Sequence, residues 1–195
     1  VDGKLVHSEN YGYGVHITKY EFTDIDNGYE LSDWSEQITT MPARNVSLYA
    51  TTKVKKYTIS YYVDNNLVFE NQLLFNSKIV PYTYDVAEGI ILSDWSGLPI
   101  TLLMPANDLV VTATTSPVVS TITYYVDGVK VNEKAYEYGK TIEEYVPVIG
   151  EGLTFVGFEN IPTTMPAKDV VVYGYTKLAS YSINYYIDGV LTYTD

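Results

Sequence analysis

Apolar and polar side chains alternate along Tyr57-Thr58-Ile59-Ser60-Tyr61-Tyr62-Val63, and again along Thr121 to Val126 and Tyr181 to Ile187. A period of two predicts a half-buried strand. Tyr57, Ile59, Tyr61 and Val63 fall on one face, and Thr58, Ser60 and Tyr62 on the other. Asp-Gly or Asp-Asn follows each run, at Asp64-Asn65, Asp127-Gly128 and Asp188-Gly189. That pair is a hairpin signal, because a type I′ turn needs positive φ at both central residues. A second strand is expected after it, such as Lys130 to Tyr138, closing at Gly139. Thr141 and Glu144 have capping-box spacing, so Thr141 to Tyr145 is expected as one helical turn or a loop. The corresponding segments, Val15–Tyr20 and Ser77–Tyr82, lack that signature.

A Gly-x-x-(Leu/Phe)-x-x-(Trp/Phe) stretch comes next, at Gly28/Leu31/Trp34, Gly89/Leu92/Trp95 and Gly152/Phe155/Phe158. It reads as a turn into a third strand. The last strand follows Met-Pro-Ala, with Val46/Leu48/Ala50, Leu109/Val111/Ala113 and Val170/Val172/Gly174 pointing inward. Asn45, Asp108 and Asp169 precede it, where a short polar side chain closes a turn on its own backbone. Proline lacks an N–H and suits the loop entering a strand. Methionine fills irregular gaps. Met41, Met104 and Met165 are therefore expected to plug a core beside Trp34, Trp95 and Phe158.

These landmarks recur. The three methionines all lie in Met-Pro-Ala, 63 and 61 residues apart, and Asp2, Asp64, Asp127 and Asp188 keep nearly the same step. The chain therefore reads as an array of one unit. The expected frame is 1–56 (lacking its opening strand), 57–119, 120–180, and the opening hairpin of a fourth unit at 181–195. Lys53–Lys56, Ser116–Val119 and Lys177–Ser180 are the expected junctions. The ragged frame leads us to expect a piece of a longer array. Units of about 60 residues sit near the lower limit for a self-sufficient core, so neighbours are expected to stabilise one another.

These residues resemble the Listeria–Bacteroides repeat family, the internalin B-repeat. Its order of motifs appears as Ile122-Thr123-Tyr124-Tyr125-Val126-Asp127-Gly128, then Tyr138-Gly139, Gly152 to Phe158, and Met165-Pro166-Ala167-Lys168-Asp169. The likeness covers essentially the whole chain. Phe158 in the tryptophan slot, Asn65 in the turn glycine slot, and two extra residues before Met104 depart from it. The resemblance implies a mainly β protein of tandem small β-grasp-like modules. Each would hold a mixed or antiparallel sheet and at most one short helix. It also implies a spacer or adhesion role in secreted or wall-attached bacterial proteins. Mucin-binding repeats are a weaker second likeness.

Composition narrows the chemistry. The net charge is −12, with 24 acidic against 12 basic residues, which repels phosphate backbones and disfavours nucleic acid as a partner. No apolar run approaches the ~20 residues of a spanning helix, so no membrane insertion is expected within this segment. Cysteine is absent, which removes disulfides and thiolate metal sites. The two histidines, His7 and His16, have no later counterparts. They leave little room for a Ser-His-Asp triad and read better as strand or loop residues than as metal ligands. Asp24-Ile25-Asp26-Asn27-Gly28 lacks the downstream Glu of an EF-hand and reads as a turn. Asp33 and Asp94 recur beside tryptophan, but Gly157 takes their place in the third unit. No catalytic residue, cofactor site or metal site is expected.

The remaining candidates are Tyr62, Tyr125 and Tyr186, on the polar face of the opening strand. Surface aromatics stack on sugars or anchor interfaces; a cross-strand pair that stiffens the sheet is the structural alternative. The expectation is a non-enzymatic, extracellular spacer and adhesion-display stalk. Binding of a host glycan or glycoprotein through exposed aromatics is the alternative. The fragment is expected to be monomeric, with strand exchange between fragments as one route to association.

Overall fold

A computed structural model describes residues 1–194; Asp195, in the expected fourth unit, lies outside the described residues. The protein is mainly β, and no helix is present among the described residues. The strands are β1 (Tyr29–Leu31), β2 (Thr52–Val54), β3 (Lys56–Val63), β4 (Asn66–Leu74), β5 (Ile90–Leu92), β6 (Leu109–Ala113) and β7 (Thr115–Pro117). They continue as β8 (Val119–Val126), β9 (Val129–Glu137), β10 (Leu153–Phe158), β11 (Val170–Leu178), β12 (Asn184–Ile187) and β13 (Val190–Thr194). Two compact units form. One holds Val1–Tyr84 with Ser93–Thr115, the other Asp85–Leu92 with Ser116–Asp195.

The first unit contains a sheet of order β4-β3-β6, the second a sheet of order β10-β11-β8-β9. Both are mixed. β3 pairs antiparallel with β4 and parallel with β6, from Ile59↔Leu109 to Val63↔Ala113. β8 pairs antiparallel with β9 and parallel with β11, from Ile122↔Val170 to Val126↔Gly174. The first two alternating runs are thus central strands, which explains their apolar faces, whereas the third, in β12, pairs only with β13 and is exposed. Ile59, Tyr61, Val63, Ile122, Tyr124 and Val126 are buried. A register shift at Tyr61/Tyr62, and again at Tyr124/Tyr125, marks a bulge in each hairpin. Such a bulge sharpens the local twist. The turns have positive φ at both central residues: Asp64 49° and Asn65 66°, Asp127 48° and Gly128 81°.

Each sheet covers one core. In the first, Ile59, Tyr61, Ile79, Met104 and Val111 cluster, with Trp95 packed against them. In the second, Ile122, Tyr124, Met165 and Val172 cluster, with Phe158 alongside. The Trp95 ring meets Tyr61 edge-on at 5.0 Å, and Phe158 meets Tyr124 the same way at 5.0 Å. Gly174 stands where the other closing strands carry Ala50 and Ala113. A Cβ there would lie 2.8 Å from both Phe155 and Phe158, so the missing methyl leaves room for these two rings.

Several expectations are corrected. Of the two forms expected for Thr141 to Tyr145, the loop is found and the helical turn is not: Thr141 bridges Thr164, and the Ile142 amide donates to the Thr163 carbonyl at 3.1 Å. Those bonds commit the backbone to pairing, which a helix cannot share. Asp108 and Asp169 do not cap their own turns. Their carboxylates accept from the amides of Thr58 and Thr121, both at 2.7 Å, and so tie the closing strand to the opening one. The third strand is six residues in β10 but only three in β1 and β5, which end before Trp34 and Trp95. Val46 to Ala50 forms no strand, because within residues 1–56 nothing stands in the central place of β3 for it to pair with.

Candidate binding surfaces

The sequence-selected tyrosines sit on three different strands. Tyr62 on β3 and Tyr125 on β8 are half-buried, and Tyr186 on β12 is 62% exposed. Tyr62 belongs to the first compact unit, and Tyr125 and Tyr186 to the second. Tyr125 lies beside Tyr173 of the neighbouring β11, ring centroids 5.6 Å apart. This is a lateral pair across the parallel ladder, with Tyr173 exposed.

Of the signature residues, Met104 and Met165 are each 1% exposed, whereas Met41 is half-buried. Trp95 donates its indole N–H to the Tyr82 carbonyl at 2.9 Å. Phe158 has no such proton; in its segment Tyr145 reaches the Val131 carbonyl at 3.2 Å. The Tyr61 hydroxyl is buried with no hydrogen-bond partner. Burial raises its pKa, and the nearby Tyr82 backbone offsets that only in part.

Trp34 and Met41 line an open cavity of about 490 Å³ together with Val46, Leu48 and His7. Trp34, Met41 and Leu48 in its lining are the sequence counterparts of Trp95, Met104 and Val111, which pack with Ile59 and Tyr61 of the central strand β3. At its rim the His7 imidazole lies 2.7 Å from Glu9 and stacks on Tyr20 at 4.2 Å. Tyr11 donates to the same carboxylate. The Tyr11 and His7 bonds together hold the Glu9 carboxyl below its ordinary range. His16 bridges Thr40 and takes no part. Hydrogen-bonding groups and an aromatic face are present here, but no nucleophile held against a base. The Asp24–Gly28 stretch is a turn, with the Tyr29 amide donating to Asp26 at 3.1 Å. Among the described residues, no group of three or more His, Asp or Glu is placed to hold a metal ion.

Sequence reasoning missed the work of the turn aspartates. Asp64 accepts from the Thr115 amide at 2.9 Å and its hydroxyl at 2.6 Å. Asp127 does the same with Thr176, at 3.2 and 2.6 Å, and Asp2 with Thr52, at 3.0 and 2.9 Å. The Thr115 hydroxyl and amide hold the Asp64 carboxyl below its ordinary range. The signal was a threonine recurring about 50 residues after each aspartate.

No family model matches this chain, and no curated protein matches it. No helix among the described residues is long and apolar enough to cross a membrane.

Proposed function

We propose that the chain is a non-enzymatic tandem-repeat segment of a secreted or cell-surface bacterial protein, acting as an extended spacer and adhesion-display stalk. Its segments are β-grasp-like modules in this reading. The observation that carries it is a recurrence of scaffold without a recurrence of chemistry. The central strand, the parallel closing strand and the buried Met occur both in 57–119 and in 120–180, and the Asp–Thr clasp is found in all three segments. The chemically versatile residues His7, Glu9 and Tyr11 occur once. A direct test places the chain between a wall anchor and a terminal tag on a bacterial cell. Removing residues 57–119 should reduce antibody access to the tag. Unchanged access contradicts the spacer role.

The Tyr125–Tyr173 pair favours a second reading, in which the segments bind a host glycan or glycoprotein through surface aromatics. Weak sites would be strengthened by repetition. On a glycan array, binding that falls with Tyr125→Ala and Tyr62→Ala supports this reading; an array without hits removes it.

A further inference from the structure

Tyr61, Phe69, Tyr82 and Trp95 form a cluster of rings in the first compact unit. Tyr124, Tyr145 and Phe158 form its counterpart in the second. The shared geometry is close. Tyr61 tilts against Tyr82 by 50° at 5.8 Å, and Tyr124 against Tyr145 by 52° at 5.1 Å. One ring is not shared. Phe69 lies flat on Tyr82, 4.6 Å away at an interplanar angle of 1°. It is the β4 partner of Tyr61 across the hairpin, and the β9 partner of Tyr124 is Asn132. A short amide thus replaces the ring at the matching register position, in a segment whose central, hairpin and closing strands are all present.

A cavity of about 180 Å³ opens there, lined by Tyr145, Tyr124 and Asn132. It is smaller than the ~300 Å³ at which drug-sized sites begin, so it suits one small ring. The rest of its wall is polar and braced. Lys134 pairs with Glu143 and sits over the Tyr136 ring at 5.0 Å, and the Tyr136 hydroxyl accepts the Glu143 amide at 3.3 Å. Glu144 completes the lining. Among the described residues, neither the Asn132 side-chain amide nor the Glu144 carboxylate has a hydrogen-bond partner.

These features select a ligand class. Phe69 on Tyr82 shows that this tyrosine position accepts a ring lying flat. The unpaired amide and carboxylate call for a ring with hydroxyls at its edge. A pyranose has both, an apolar C–H face and a polar rim. Glu143 and Glu144 at the pocket, in a chain of net charge −12, disfavour an acidic sugar.

We propose that this pocket binds one neutral pyranose, stacked on Tyr145 as Phe69 is stacked on Tyr82. Its hydroxyls bond to Asn132, which both donates and accepts, and to Glu144, which accepts. The Lys134–Glu143 pair is already fixed, so little ordering is lost on binding. A ligand of about a dozen heavy atoms binds such a site at about 1 mM. The site shares no residue with the Tyr125–Tyr173 pair, and it does not rest on the stalk reading.

The test is an NMR titration of the full chain with the methyl β-glycosides of glucose, galactose and N-acetylglucosamine, each to about 20 mM. At least one should shift the Asn132, Glu144 and Tyr145 signals together and saturably. Asn132→Phe should refill the pocket as Phe69 does and abolish those shifts. Glu144→Ala, at an exposed site that the fold does not need, should weaken binding about tenfold. Signals that stay still with all three sugars overturn the proposal, as does binding that is unchanged in Asn132→Phe or in Glu144→Ala. Shifts confined to Tyr125 and Tyr173 also overturn it, while supporting the separate surface-aromatic reading.

Discussion

Replacing each Met-Pro-Ala methionine by alanine should have unequal effects despite identical local sequence. Met104 is 1% exposed within the cluster of Ile59, Tyr61, Ile79 and Val111, with Trp95 and Leu98 against it. Truncation removes the thioether and leaves a cavity that these neighbours fill only in part, a change worth about 2–5 kcal/mol. Met165, equally buried among Ile122, Tyr124 and Val172, should cost about the same. Met41 is half-buried and lines an open cavity. Water replaces the lost atoms there and no void is sealed, so Met41→Ala should cost about 1 kcal/mol or less. Urea unfolding followed by fluorescence, in a Trp34→Phe background, leaves Trp95 as the reporter beside Met104. The midpoint should fall by about 1 M or more for Met104→Ala and barely move for Met41→Ala. Equal losses for the two would refute the assignment of Met104 to a sealed core and of Met41 to an open one.

Gly28→Ala and Gly89→Ala should each destabilise more than Gly152→Ala in thermal melts. All three carry the strain of a positive φ, about 1 kcal/mol, but only the first two drive a methyl into an aromatic ring, Phe75 and Tyr138 respectively. Tyr61→Phe should leave stability unchanged or raise it by about 1 kcal/mol, because it removes a buried hydroxyl that has no partner. A clear loss in the melt would reveal a bond that the geometry lacks. Asp64 has a depressed folded pKa. Its contribution is full above the unfolded value of about 3.9 and is lost as pH falls through the lower folded value. Thr115→Val should flatten that acid limb of the stability–pH curve; an unchanged limb would contradict the Asp64–Thr115 clasp.

Much of the sheet was legible because its cause is local. The alternation in Thr58 to Val63 marks one buried face, and Asp127-Gly128 supplies the φ > 0 pair of its turn. The parallel pairing of β3 with β6 was not legible, since it joins residues 50 positions apart and alternation does not say which neighbour a strand takes. The bulge at Tyr61/Tyr62 was hidden for a related reason: a run of seven alternating residues looks the same with or without an extra residue opposite it. The capping-box spacing of Thr141 and Glu144 misled because tertiary pairing to Thr164 and Thr163 outcompetes one turn of helix. On the surfaces, the tyrosines were visible as residues but not as arrangements. Nothing in the spacing brings Tyr173 to Tyr125, or shows that Asn132 opens a pocket where Phe69 covers a tyrosine.

Small-angle scattering of the whole chain at low concentration tests the spacer account most directly. Segments arranged end to end over ~100 Å should give a radius of gyration of about 30 Å, well above the ~16 Å of a single compact domain of this length. A value near the compact figure would contradict it.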